Sequence, residues 1–543
     1  MDITVSEKYL WFPVDMSGEM VWVSVYDGDQ KIQEMKVSLG KEHIDFYGVW
    51  KATEYLGKEL RIVSEKGEEY LDGVDIRQEK TRPQNDYPYR PRLHYTPAYG
   101  WVNDPNGLVY VDGVYHMFHQ YNPYSTEWQN MSWGHATSTD LMHWEEQEVA
   151  STPDEYGTMY SGCALVDEKN TAGYGKDALL FFYTAAGGMN EWSKEAGNLF
   201  TQKLMWSTDG TKTLHKRDEE LVPWIVGENR DPKVFWHAES NAYVMIMYLE
   251  ENDFLILRSA DLLHWEQTQK MTVPGMWECP LLIEVPVEGT DKKEWVFWSA
   301  DGYYQIGSFD GYTFQTKTER KMAYFSRRAY AAQNFVNVGE RVLLVPWVRL
   351  DNANGWYRGA MGIPQEICLK DGADGLQLAF SMTEELHAMR GSWEVLPQNE
   401  TISIAGEARE VVLSWNAGMT GTELLEIGET TIRIDFTHGE LWVDTDRKHE
   451  LDGELRGVFD PAKPLDMTVV IDQEMLDILA DGGRLCGTIE TEENVLGKTL
   501  KLRGDAALPH AENFLKLRNA QGFFIQNVDD AQAGGVRQEF ERF

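Results

Sequence analysis

Along most of this chain, short runs suited to β-strands recur, some alternating apolar and polar residues and others continuously apolar, and turn-forming residues separate them. Residues 20–26, 179–183, 243–248, 295–299 and 342–348 are typical. Each is rich in β-branched or aromatic side chains, and Gly, Asp, Asn or Pro clusters bound most of them. A 3.6-residue periodicity sustained over the roughly ten residues of an ordinary helix is missing. The pattern predicts an all-β protein.

Three regions separate. Residues 1–82 carry several short alternating strands. Residues 83–92 hold Pro83, Pro88 and Pro91, which favour extended backbone and interrupt sheet pairing, so this segment reads as a linker. Residues 93–370 contain nearly all the tryptophan-rich and motif-like segments, and from 375 to 543 plain alternating strands return, such as 408–414 and 431–436.

An internal echo predicts the architecture of the middle region. Ser138-Thr-Asp-Leu-Met-His-Trp144 recurs as Ser259-Ala-Asp-Leu-Leu-His-Trp265, with weaker copies at Ser207-Thr-Asp-Gly210 and Ser308-Phe-Asp-Gly-Tyr-Thr-Phe314. Asp140, Asp209, Asp261 and Asp310 are therefore spaced by 69, 52 and 49 residues, close to the roughly 40–50-residue period of a propeller blade. The echo is expected to be a structural turn at the end of each blade, so chemistry is to be sought in segments that occur once.

Composition narrows the partners. Lys+Arg number 50 against 88 Asp+Glu, a net charge of −38, which repels phosphate backbones and anionic lipid heads; neither nucleic acid nor a membrane surface is expected. No apolar run reaches the length of a membrane helix. Cys163, Cys279, Cys368 and Cys486 lie far apart without a CxxC pair, which argues against a disulfide framework or structural zinc and fits a reducing compartment. The opening MDITVSEKYL has no basic stretch followed by an apolar one, so a cytoplasmic location is expected. Twenty tryptophans and 12% aromatic residues suit strand packing, and also suit stacking against sugar rings.

Three acidic motifs are unique. In Trp101-Val-Asn-Asp-Pro-Asn-Gly107, a proline and a glycine-ended turn stiffen the backbone around Asn103 and Asp104. In Glu228-Asn-Arg-Asp-Pro-Lys233, Arg230 stands beside Asp231, and in Trp277-Glu-Cys-Pro280, Glu278 stands among Met276, Trp277, Cys279 and Leu281. A carboxyl among apolar neighbours has a raised pKa and suits a general acid. Each motif alone also reads as a turn, an ion pair or a strand edge. Together they supply the two carboxylates that glycoside cleavage needs, with a third to hold hydroxyls.

In order and content these motifs resemble glycoside hydrolase family 32, the invertases, exo-inulinases, levanases and other β-fructosidases. Further matching segments are His119-Gln-Tyr-Asn-Pro123, Trp133-Gly-His-Ala136, Tyr160-Ser-Gly162 and Trp356-Tyr-Arg-Gly-Ala-Met361. The resemblance implies a five-bladed β-propeller followed by a β-sandwich, and residues 1–82 resemble the small β-sandwich preceding the propeller in some bacterial members. That module could pack on the catalytic unit, bind sugar or mediate dimerisation. The resemblance implies a retaining, exo-acting β-fructosidase with Asp104 as nucleophile, Glu278 as acid/base and Asp231 on the fructose hydroxyls beside Arg230. Asn103, Gln120, Trp128, Tyr160 and Ser161 match positions lining the fructose subsite. No metal or other cofactor is implied, and the expected partners are small fructose-containing saccharides. Fructosyl transfer by the same residues, or a sugar-binding propeller without catalysis, remain alternatives. One departure stands out. In Tyr324-Phe-Ser-Arg-Arg-Ala-Tyr-Ala-Ala-Gln333, Arg328 occupies a position where the family has an acid. If Arg328 faces the pocket it should shift preference away from sucrose; otherwise it points outward and pairs with surface acid.

Overall fold

The computed structural model describes residues 1–84, 87–350, 356–396, 398–404, 408–445, 452–491 and 497–504, together with the strand Phe514–Arg518. Residues 85 and 86 of the expected linker, and 505–513 and 519–543 of the expected sandwich, lie outside the described residues. The only α-helices among the described residues are Glu191–Ala196 and Glu384–Ala388.

Two small sheets come first. One orders the strands Asp2–Thr4, Glu59–Ser64, Val21–Asp27 and Gln30–Val37; the other orders Phe46–Lys51, Tyr9–Val14 and Arg77–Glu79. Their shared core includes Leu10, Phe12, Val23 and Ile62 and runs on into Tyr99, Tyr121 and Tyr124 of the next region.

Five antiparallel sheets follow and form a five-bladed β-propeller. Their innermost strands are Gly100–Val111, Thr158–Asp167, Arg230–His237, Leu281–Pro286 and Ala329–Asn334. Middle strands such as Ala178–Ala186 and Ala242–Tyr248 are buried along their whole length, because neighbouring blades cover both faces. They accordingly read as continuous apolar runs rather than alternation. The outermost strand Glu266–Thr272 is mostly exposed and polar. Tyr357–Arg358, from the fifth blade's connection, pairs in parallel with Gly100 and Trp101 of the first and closes the ring without a covalent link.

The repeated motif turns the chain between the third and fourth strands of a blade. Asp140 accepts hydrogen bonds from the backbone N–H groups of Met142 and His143 at 3.0 and 2.8 Å, and Asp261 does the same for Leu263 and His264 at 3.0 and 2.8 Å. Asp310 holds its turn likewise through Tyr312 and Thr313. The fifth blade lacks the echo because Gln365–Gly372 and Gly375–Met382 form a tight hairpin there. That hairpin corrects the expected boundary at 370–375: the propeller runs through Met382, and the sandwich starts with Arg390–Val395. Alternation marks a strand but does not say which sheet it joins. The two six-stranded sheets that follow enclose a separate core containing Val411, Leu425, Ile434 and Ile478.

The propeller and sandwich meet across buried charge. His94 lies with Nδ1 3.0 Å from Asp472 Oδ2 and Nε2 3.0 Å from Asp477 Oδ2, all three groups out of solvent. Asp472 also accepts from the backbone N–H groups of Arg92, Leu93 and His94. Burial alone would push the imidazole pKa down, but the facing carboxylates of Asp477 and Asp472 outweigh it and lift it to about 10. A histidine whose folded pKa is raised stabilises the fold fully below its unfolded value near 6.5 and loses that contribution as pH rises towards the folded value. Stability should therefore decline between about pH 6.5 and pH 10. The measurement is the urea midpoint across that range, compared with His94→Asn; parallel profiles for the two proteins would refute the assignment.

Candidate active site

The innermost strand of each blade delivers side chains to one end of the propeller axis, and irregular backbone aims them. Pairing shifts register between Val102 and Pro105, between Met159 and Gly162, and between Arg230 and Lys233. Asn103 and Asp104, Tyr160 and Ser161, and Asp231 sit inside these three bulges. A bulge turns a side chain away from the strict up–down alternation of a strand, which is how strands that pack blades also present polar groups to the axis. Asp231, Glu278, Cys279 and Ala331 have φ of 63°, 31°, 41° and 47°. Four non-glycine residues in the left-handed region at one site is a concentration of strain typical of functional centres.

These elements enclose a cavity of about 310 Å³, lined by Asn103, Asp104, Gln120, Trp128, Tyr160, Ser161, Arg230, Asp231 and Glu278. Met189, Glu228, Tyr330 and Trp347 complete its wall. Ser161 Oγ donates to Asp104 Oδ2 at 2.7 Å, and the Trp101 indole donates to Asn103 Oδ1 at 2.8 Å. The Cys279 backbone N–H donates to Asp231 Oδ2 at 3.0 Å; its Sγ lies 3.4 Å from the same oxygen and 3.5 Å from Asp104 Oδ2, so the thiol bridges the two carboxylates. Arg230 Nη2 donates to Glu278 Oε2 at 2.6 Å, with Nε 3.6 Å from Asp231 Oδ2, and the Tyr330 hydroxyl donates to Glu278 Oε1 at 2.5 Å. Gln120 Nε2 and Trp347 Nε1 are buried and have no hydrogen-bond partner among the described residues. Such donors are costly unless something fills the site.

Charge is concentrated here. Burial, then the neighbouring Glu278, raises the Asp104 carboxyl above its ordinary 3.8, against the hydrogen bond from Ser161. Burial also raises Asp231; the Arg230 guanidinium opposes it, while Glu278 and Asp104 add to the rise. For Arg230 burial works against the charge, but Asp231 and Glu278 outweigh it and keep the guanidinium protonated. Burial and the three carboxylates push the Cys279 thiol up, so it stays an S–H donor rather than a nucleophile. The Tyr330 phenol is raised by burial and then by Glu278, which keeps its proton on the hydrogen bond to the carboxylate.

Two expectations need correction. Glu278 does not sit in an apolar pocket. Met276, Cys279 and Leu281 are buried, but the carboxylate faces Arg230 and Tyr330, because the left-handed backbone at 278 and 279 separates its direction from theirs. Arg328 lies neither in the cavity nor on the surface. Its Nε and Nη2 donate to Asp452 at 2.7 and 3.1 Å, and Nη1 is 2.7 Å from Glu490 Oε2, all buried against the sandwich. The expected shift away from sucrose loses its physical basis.

Sequence reasoning passed over Tyr330, Trp347, Met189 and Glu228. Tyr330 was within sight, two positions past Arg328. The bends at 325–328 break the strand parity that would otherwise put both residues on one face. Other motif residues are scaffold. Asn106 Oδ1 accepts from the Gly162 N–H at 3.1 Å and ties the first blade to the second, and a Cβ on Gly162 would lie 1.9 Å from the Phe182 carbonyl oxygen.

Residues 94–379 match the family described as "Glycosyl hydrolases family 32 N-terminal domain". The levanase of Bacillus subtilis (strain 168) is 31% identical over 457 residues, 74% of this chain and 66% of the levanase. The extracellular exo-inulinase inuE of Aspergillus ficuum is 33% identical over 343 residues, covering 52% of this chain and 63% of its own length. The chain thus spans about two-thirds of the first relative and slightly less of the second. Among solved structures, the exo-inulinase from Aspergillus awamori superposes with a TM-score of 0.71 over 81% of this chain and 100% of its own, at 24% identity, a likeness of fold. With the family description matched over more than half of its length and the levanase paralleled over 74%, the chain belongs to glycosyl hydrolase family 32.

Proposed function

We propose that the protein is a retaining, exo-acting β-fructosidase that releases fructose from sucrose, fructo-oligosaccharides or fructan ends. The observation that carries the reading is the convergence of Asp104, Asp231 and Glu278 from three different blades on one cavity, with Arg230 and Tyr330 bonded to Glu278. The levanase and exo-inulinase relatives support fructans as the substrate class.

In this reading Asp104 attacks the anomeric C2 of the terminal fructosyl unit while Glu278 gives its proton to the departing oxygen, leaving a fructosyl ester on Asp104. Glu278 then takes a proton from water, the water oxygen attacks C2, and the Asp104 carboxylate leaves. Ser161 orients the attacking carboxylate. Arg230 ties the direction of Glu278 to that of Asp231. Asp231 accepts from sugar hydroxyls and gains strength as positive charge develops on the ring.

Fructose release measured over sucrose, kestose, inulin and levan tests the activity, and NMR of the first-formed anomer tests retention. Oligosaccharides longer than the substrate at high sucrose would identify transfer instead. Asp231→Asn is expected to lower kcat by about 10²–10³-fold with KM changed only a few-fold, since the interaction strengthens in the transition state. A variant altered only in KM would reduce Asp231 to a substrate anchor.

A further inference from the structure

The N-terminal module grips the two segments that carry Trp128 and Met189, two of the residues lining the cavity. Gln30–Val37 is an edge strand, paired on one side by Val21–Asp27, and an edge leaves a row of N–H and C=O groups unpaired. Here a side chain from the propeller stands in for the missing strand. The Lys36 N–H donates to Asn130 Oδ1 at 2.6 Å, and Asn130 Nδ2 donates back to the Lys36 carbonyl at 2.8 Å. Asn130 is buried and takes a left-handed φ of 51° to make this clamp. Its Nδ2 also donates to Asn122 Oδ1 at 3.0 Å, an oxygen that accepts from the Tyr124 N–H, while Asn122 Nδ2 donates to the Glu127 carbonyl at 2.8 Å. The loop 122–130 is thus fixed at its base on the module, and its tip presents Trp128, a cavity wall with 41% of its surface exposed.

The same strand holds the second loop. Glu34 is buried; one of its oxygens accepts from the Trp192 N–H at 2.8 Å and the other from Lys31 Nζ at 2.8 Å, and Lys31 reaches Glu195 at 3.2 Å. These contacts seat the helix Glu191–Ala196, whose N-cap Asn190 directly follows Met189, another cavity wall. A short helix and a surface loop have little stability of their own. One strand of a module outside the propeller ties both of them down, alongside propeller contacts such as Asn190 Nδ2 to the Asp154 carbonyl and Arg358 to Glu127.

We propose that residues 1–82 are a specificity element: through Asn130 and Glu34, the strand Gln30–Val37 positions the Trp128 and Met189 walls, and so governs how tightly saccharide is gripped without taking part in bond cleavage. The inference rests on the saccharide reading of the cavity. Asn130, Glu34 and Lys36 are positioning residues and touch none of the proposed reacting groups.

The test uses the full chain and two variants that cut the clamp from opposite sides, Asn130→Ala in the propeller and Lys36→Pro in the module. Of the strand's backbone hydrogen-bonding groups, proline removes only the outward N–H, and it is tolerated on edge strands, so it preserves the experiment if Asn130→Ala folds poorly. Hydrogen exchange, which needs no substrate, should rise in 122–130 and 187–197 and stay unchanged in the blades. For saccharides that the wild type hydrolyses, KM should rise about tenfold with kcat within about twofold. In a Trp128→Ala background, Asn130→Ala should add less than about twofold, because coupled residues are non-additive. Unchanged exchange in both loops overturns the proposal. So does a fall in kcat at constant KM, the mark of a smaller folded fraction, and so do fully additive effects with Trp128→Ala. If the wild type releases no fructose from any of the four saccharides while exchange responds as expected, the saccharide reading has failed, and the specificity role falls with it.

Discussion

Asp104→Asn is expected to abolish turnover, by about 10⁴-fold or more in kcat, while leaving the protein folded. An amide is isosteric with the carboxylate, accepts the 2.7 Å hydrogen bond from Ser161, and removes charge that burial and Glu278 already disfavour. Folding stability should therefore hold or rise slightly. Chemistry cannot survive, because an amide does not form the fructosyl ester. Glu278→Gln distinguishes the partner role. It should nearly eliminate hydrolysis of natural fructosides, whose sugar leaving group needs a proton, and spare substrates with an activated aryl leaving group. Equal losses on both substrate types would remove Glu278 from the acid role, and near-wild-type turnover by Asp104→Asn would remove Asp104 from the nucleophile role. The raised Asp104 carboxyl has a further consequence. The acid limb of kcat/KM should lie above the ordinary aspartate value of 3.8, since the carboxylate must be ionised to attack.

Arg328→Met is expected to cost about 3–5 kcal/mol of stability, the usual penalty for removing one partner of a buried ion pair. Asp452 and Glu490 are both buried, and each loses a 2.7 Å contact to the guanidinium. Arg328→Lys should recover little of the loss: one ammonium cannot reproduce a planar fork that meets Asp452 through Nε and Nη2 while Nη1 meets Glu490 and the Arg349 carbonyl. Activity per folded molecule on sucrose relative to kestose should stay the same, because the side chain does not line the cavity. Denaturant unfolding and a substrate panel read the two limbs separately. A changed sucrose preference with unchanged stability would return Arg328 to the pocket.

Strand positions and the propeller echo were legible because they rest on local rules. The runs at 179–183 and 243–248 fall within the fully buried strands Ala178–Ala186 and Ala242–Tyr248, and Asp140 and Asp261 mark turns since an aspartate can hold the N–H groups two and three residues further on wherever it occurs. Nine of the ten expected site residues line the cavity. Around Asp104 and Asp231 the motifs combine proline with the acid in ways that also dictate backbone, whereas Gln120, Trp128, Tyr160 and Ser161 were expected only because their segments resemble those of the family.

Arg328 was the exception. Its sequence position is two residues from Tyr330, which bonds Glu278. Its partners Asp452 and Glu490 stand more than a hundred residues further on, and no local pattern announces them. The boundary near 370–375 failed for a related reason: Gly375–Met382 alternates like a sandwich strand, yet pairs with Gln365–Gly372 in the fifth blade. The role of residues 1–82 was equally invisible, since Asn130 and Lys36 meet across separate domains. By itself the sequence determined the strands and the blade turns, both set by periodicity and turn chemistry within a few residues, while the candidate carboxylates were picked out by motifs that resemble those of a known family. Tertiary structure alone decided what Arg328 neutralises, what Glu278 faces and which loops the N-terminal module holds, because burial and charge pairing depend on groups that only folding brings within a few ångströms.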